Sequence, residues 1–126
     1  MTDRKDIGER TRRAVLGDAH VDRAEAGRTD LDEAFQELIT EGAWGTVWAS
    51  DAITQRERSM ITLALLAATG NFAEIPMHIR ATANTGASKK DVAEAFSHVA
   101  IYAGVPKANH ALKLAKETYA EMEAEE

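Results

Sequence analysis

The chain has 126 residues, 44% of them apolar and 29% charged, the balance of one soluble globular domain with a single core. Its formal net charge of −6 argues against nucleic acid or an anionic membrane as partner, since both favour a basic surface. With no cysteine, disulfides, thiolate nucleophiles, Cys-ligated zinc and CxxC redox chemistry are excluded together.

Residues 1–13 are charged throughout, without a secretory pattern, and the longest apolar run, 60–70, is far short of the roughly 20 residues of a membrane span. A cytoplasmic location is expected. Residues 3–16 predict a charged, weakly amphipathic helix closed by Gly17, and 18–28 an irregular connection rich in His, Asp and Arg. Thr29 or Asp30 caps a second helix, whose Leu31, Ala34, Phe35, Leu38 and Ile39 form a clean apolar stripe. Gly42 and Gly45 interrupt it, leaving Trp44 and Trp48 on a separate short turn.

Thr54 with Glu57 reads as a capping box opening a helix through Met60, Ile61, Leu63, Leu65, Leu66 and Ala67. That helix is apolar almost all round, which predicts the central and most buried element. Gly70 ends it, and Asn71 caps the next helix, to about residue 84. Pro76 fits there only if the helix starts just before it or bends. Ser88 with Asp91 is a second capping box, with Val92, Ala95, Phe96, Val99 and Ala103 inward and Gly104 as the stop. Pro106 starts the last helix, which turns Ala108, Ala111, Leu112, Ala115, Tyr119 and Met122 inward and frays over 121–126. The expected fold is all-α: a single-domain bundle of about six to seven helices, packed as hairpins around the 60–68 helix. Within it, residues 1–28 form an N-terminal basic helix and arm and 29–120 the helical core.

Glu74 and His78 stand four residues apart, on one face of a helix. A buried carboxylate–imidazole pair can hold a proton near neutral pH and deliver it to a bound molecule. The same spacing on a surface helix makes an ordinary pair of about 0.2–0.5 kcal/mol. Arg12, Arg13, His20 and Arg23 are the densest basic cluster of this acidic chain. They are either a grip for a dianionic ligand, because Arg holds a carboxylate bidentately, or a solvated helix end against Asp18 and Asp22. Arg58, beside Glu57, either projects into a pocket or makes a structural ion pair. Arg80 follows His78 by about 200° of helical rotation, so it faces another wall, a neighbouring subunit or solvent. Trp44 and Trp48 are core or interface anchors, with Trp44 also the candidate for lining a pocket. His98 and His110 read as polar surface or interface groups, and no set of His and carboxylate positions has metal-ligand spacing.

Several blocks resemble the 4-carboxymuconolactone decarboxylases: RRAVLGDAHVDR at 12–23, FQELIT at 35–40 followed by AWG at 43–45, RSMIT at 58–62, HIRA at 78–81 and AIYAGVPKAN at 100–109. They run in order along nearly the whole chain. The resemblance implies an all-α, alkylhydroperoxidase D-like fold, a homo-oligomer that is commonly a hexamer, and no cofactor. The reaction it implies is decarboxylation of γ-carboxymuconolactone to β-ketoadipate enol-lactone, in protocatechuate degradation by the β-ketoadipate pathway. His78 is then the candidate proton donor or oxyanion stabiliser, with Glu74 setting its tautomer and charge. Arg12, Arg13, His20, Arg23, Trp44, Arg58 and Arg80 form the candidate substrate-binding set for a small anionic lactone.

Peroxidase-type members of the wider superfamily carry a CxxCxxxH-like motif. By resemblance His78 matches its histidine, while Asn71 and Glu74 stand in place of its cysteines, so disulfide-based peroxide chemistry is excluded. Two positions depart from the pattern: Pro76, where an ordinary helix former is expected, and Ala103, where relatives often carry cysteine. Two alternatives remain in this frame. One is a related lactone isomerase or decarboxylase, and the other a non-catalytic helical oligomer binding a small acid.

Overall fold

The computed structural model describes residues 3–126. Met1 and Thr2, at the start of the expected N-terminal arm, lie outside the described residues. All regular structure among the described residues is helical, and none of those helices is long and apolar enough to cross a membrane. The chain divides into two compact units, one ending at Thr54 and the other covering Gln55–Glu126.

The first unit holds α1 (Arg4–Leu16), α2 (Asp18–Ala26), α3 (Glu33–Ile39) and a π-helix (Thr40–Val47). Asp3 caps α1 by accepting from the Asp6 N–H at 2.8 Å. Gly17 ends it at φ 89°, a conformation that excludes most side chains, with its N–H returned to the Arg13 carbonyl at 2.9 Å. The chain then enters α2 directly, so the irregular connection expected over 18–28 is corrected to a helix. Its charged residues hide that helix from a reading of apolar periodicity. Arg13 on α1 bonds both Asp18 and Asp22, one turn apart on α2, at 3.0 and 2.9 Å, exposed ion pairs that tie the two helices weakly.

A second correction concerns α3. Thr29 and Asp32 close a turn instead of capping a long helix: the Thr29 N–H donates to Asp32 Oδ1 at 2.9 Å, and Leu31 lies in that turn. The apolar stripe faces solvent, with Leu31, Phe35 and Leu38 exposed at 96%, 58% and 67%. Apolar periodicity marks a face without naming its partner. Gly42 and Gly45 do not interrupt the helix; it widens into the π form, and Thr46 Oγ1 donates five residues back to the Glu41 carbonyl at 2.9 Å. The π-helix packs against α1, where Gly8 and Gly45 allow the two backbones to touch.

The second unit holds α4 (Gln55–Thr69), a 3₁₀ turn (Phe72–Glu74), α5 (Ile75–Thr85), α6 (Lys89–Tyr102) and α7 (Val105–Ala124). Glycines at φ 78° (Gly70) and 88° (Gly86) end α4 and α5. The Ser88–Asp91 capping box forms as expected, with both reciprocal bonds in place. Each of α5, α6 and α7 packs on α4, and α7 also packs on α5 and α6. Their shared core is built on Leu63, Ile75, Ile79, Val92, Phe96 and Ala111. Burying each of the larger side chains contributes about 1.5–3 kcal/mol. Only one side of α4 enters this core: Leu63 and Ala67 are fully buried, whereas Ile61 and Leu65 are about half exposed, which corrects the expectation of burial all round.

Pro76 is accommodated because α5 begins at Ile75, so the missing N–H falls among the donors that have no helical acceptor anyway. The last turn does not fray. It continues to Ala124, held by Arg80 on Glu121 and Glu125 and by Lys89 on Glu123.

Candidate functional site

The inward face of α5 carries Ile75, His78, Ile79, Thr82 and Thr85, the three-and-four spacing of an amphipathic helix. His78 is 8% exposed between two isoleucines with no solvent access, so its imidazole is largely removed from water. Glu74 is placed differently. It ends the 3₁₀ turn at the N-cap position of α5 and is exposed. The spacing of four is kept, but one partner is buried and the other faces solvent, where its charge favours the positive end of the α5 dipole.

In the first unit, Arg12 and Arg13 on α1 and Arg28, just after α2, surround a cavity of about 200 Å³, against Glu9 and Glu25. Arg12 is among the least exposed arginines of the cluster, with 12% of its side chain accessible. Its Nη1 donates to Glu25 Oε1 at 2.7 Å. Arg28 donates from Nη1 to the other oxygen, Oε2, at 3.0 Å. Hydrogen bonding from Arg28, ahead of that from Arg12, holds the Glu25 carboxyl below its usual range against the opposing effect of burial. In return Glu25 raises Arg28. Arg13 lies at the rim, raised by its bonds to Asp18 and then Asp22. His20 is half-buried and Arg23 exposed on α2, and neither is among the residues lining the cavity. Arg28 and Glu25 are the residues that the sequence reading missed. Arg28 stood at the end of a stretch read as a connection, and nothing local marks Glu25 as the carboxylate that Arg28, three residues on, shares with Arg12 on α1.

Trp44 is buried in the π-helix, its ring centroid 5.4 Å from that of Trp48 at a 32° tilt. Arg58 is half-buried in the first turn of α4. Arg80 is engaged by α7: its Nη1 donates to Glu125 at 2.9 Å and its Nη2 to Glu121 at 3.1 Å. Both carboxylates raise its pKa, Glu125 the more. Among the described residues, no group of three or more His, Asp or Glu is arranged to hold a metal ion.

This all-α chain, with the sequence blocks described above and a buried histidine two residues after the proline in the first turn of α5, belongs to the carboxymuconolactone decarboxylase family, whose profile matches residues 33–117. It is similar to the 4-carboxymuconolactone decarboxylase of Acinetobacter baylyi, with 36% identity over 115 residues, or 91% of this chain and 86% of that one. It is also similar to a nitrosuccinic acid decarboxylase of Metarhizium robertsii, with 35% identity over 117 residues, or 93% of this chain and 82% of that one. A shorter stretch of 42 residues, 33% of this chain, is 55% identical to a 4-carboxymuconolactone decarboxylase of Pseudomonas putida and covers 88% of that sequence.

Proposed function

We propose that this chain is a cofactor-independent carboxy-lyase that converts γ-carboxymuconolactone to β-ketoadipate enol-lactone. The observation that carries the reading is the buried imidazole of His78, set in a block that resembles the 4-carboxymuconolactone decarboxylases, in a chain 36% identical to one of them over 91% of its length. The substrate bears a carboxylate on a quaternary carbon, conjugated through one double bond to the lactone carbonyl. When the carbon–carbon bond to that carboxylate breaks, its electron pair moves through the double bond onto the carbonyl oxygen, and carbon dioxide leaves. A proton delivered to the carbon next to the carbonyl then returns the pair and gives the enol-lactone.

The electron sink is part of the substrate, so the protein has three tasks: to hold the second carboxylate, to stabilise the oxyanion, and to supply one proton. His78 supplies the proton in this reading, and Glu74 tunes its charge from the solvent side of α5. Arg12 and Arg13 hold carboxylate, with His20, Arg23, Trp44 and Arg58 completing the binding set. Arg80 would have to leave Glu121 and Glu125 to join them. A homo-oligomer, hexameric by the family resemblance, belongs to the same reading, and adjoining exposed apolar residues such as Ile101 and Tyr102 on α6 are the kind of surface it would cover.

A second reading has its own support in the 35% identity to a nitrosuccinic acid decarboxylase over 93% of the chain. That acid is also a diacid with a built-in sink: loss of carbon dioxide from the carbon bearing the nitro group leaves a nitronate, which one proton restores at carbon. The two substrates separate the readings. Purified, chelator-treated protein is given each in turn and carbon dioxide release is followed. The first reading expects kcat/KM for the lactone to exceed that for nitrosuccinate by about tenfold or more. The reverse order selects the second, and a folded chain that releases carbon dioxide from neither rejects both and leaves a non-catalytic acid-binding oligomer.

A further inference from the structure

The cavity lined by Arg12 and Arg28 contains a carboxylate already, and it is the protein's own. Arg12 and Arg28 converge on Glu25 from two sides, each taking a different oxygen, at 2.7 and 3.0 Å. Both guanidinium groups are largely buried, with side chains 12% and 20% exposed. Two arginines on one carboxylate, one nitrogen to each oxygen, is an arrangement that a bound acid could take in its place, because charge-assisted bonds to both oxygens hold a carboxylate. The α1–α2 contact does not require this cluster for its ion pairing, since Arg13 with Asp18 and Asp22 ties the same two helices. The cluster also borders about 200 Å³ of space, and a space walled by three arginines and two glutamates is a place for water or a polar solute, not a dry void. Arg28 is held a second time, by Glu33 Oε2 at 3.1 Å from its Nε, so it keeps its position if Glu25 lets go.

We propose that this cavity binds a small carboxylate, with Glu25 as the resident competitor that occupies the Arg12–Arg28 fork until a ligand carboxylate replaces it. The proposal rests on the decarboxylase reading for the kind of acid involved, and it adds Arg28 and Glu25 to the residues that reading assigns. Competition has a definite sign. Neutralising Glu25 removes the carboxylate that Arg12 and Arg28 share and leaves Arg28 with Glu33 alone, so an external anion binds more tightly. Replacing the Arg28 fork by a single ammonium keeps the charge but loses the paired geometry, so an external carboxylate binds less tightly.

The probe is succinate, a diacid with no electron sink and hence no carbon dioxide to lose. Calorimetric titration at low salt on the intact chain should show binding to the wild type, about tenfold tighter binding to Glu25→Gln and about tenfold weaker binding to Arg28→Lys. In the unmodified protein, succinate should also shift the Arg28 Nε–H resonance, a readout that needs no variant to fold. The proposal is overturned if Glu25→Gln binds succinate no more tightly than the wild type, if neither binds it, or if the Arg28 resonance does not move. Failure of the decarboxylase reading would look different. Succinate binding in this pattern without carbon dioxide from the lactone rejects that reading and keeps the site. Lactone turnover with succinate ignoring Arg28 rejects the site and keeps the reading.

Discussion

The amide nitrogen of Gly45 lies 3.1 Å from the point where a Cβ on Gly8 would stand, so α1 and the π-helix meet backbone to backbone. A methyl at either position would also strike a carbonyl oxygen: that of Thr40 from Gly8, and that of Arg4 from Gly45. Backbone atoms cannot rotate away as a side chain can. Gly8→Ala should therefore destabilise the first unit by about 1–3 kcal/mol through overpacking, even though Ala favours an open helix over Gly by about 1 kcal/mol. Both tryptophans of the chain, Trp44 and Trp48, lie in this unit, so urea unfolding followed by their fluorescence reads the sign directly. A raised or unchanged midpoint would mean that the crossing has room to spare.

His78→Ala should lower kcat on the preferred substrate by about 10²–10⁴ with a smaller effect on KM, the signature of a lost proton donor. His78→Gln keeps most of the volume and should lose nearly as much, which separates proton transfer from packing. Less than a tenfold loss in a folded Gln variant removes His78 from that role.

Arg80 gives a test with two readouts. Its ties to Glu121 and Glu125 hold the end of α7, so Arg80→Met should speed amide exchange over 119–124 while changing KM by less than about threefold. Unchanged exchange with a tenfold rise in KM would place the guanidinium on the substrate instead.

Asp91 links stability to pH. Arg56 holds it bidentately, Nε to Oδ2 at 2.7 Å and Nη2 to Oδ1 at 2.6 Å, and the Ser88 N–H adds a third bond at 2.9 Å. Arg56 first and Ser88 second keep its carboxyl well below the ordinary value of 3.8. A carboxyl depressed on folding contributes stability that is present above its unfolded pKa and lost as pH falls toward the folded one. Wild type should thus be more stable than Asp91→Asn at about pH 5, and the gap should narrow as the pH falls to about 2. Urea midpoints at several pH values measure it, and a gap that stays constant would mean that Asp91 is not the titrating group.

Much of the second unit was legible because its signals are local. The Ser88–Asp91 box, Gly70, Pro76 and Pro106 each act within one helical turn, and the period of Val92, Ala95, Phe96 and Val99 marks a face that the structure buries. The first unit was less legible. A charged stretch proved to be α2, whose Asp18 and Asp22 meet Arg13 on the preceding helix, and an apolar stripe at Leu31, Phe35 and Leu38 lies exposed. Of the site residues, spacing could propose Glu74 and His78, but spacing does not report depth, and only one of the two is buried.

The sequence by itself determined where most helices begin and end and which chemistry is missing, since caps, glycines, prolines and the lack of cysteine act through covalent structure and near neighbours. Tertiary structure alone decided that Glu25 lies between Arg12 and Arg28, that Arg80 turns to α7, and that Gly8 lies against the π-helix. Those are meetings between residues 13 to 45 positions apart in the chain, except Glu25 with Arg28, which are neighbours on one turn. The energy of a charge pair or a backbone contact depends on a distance that only folding sets.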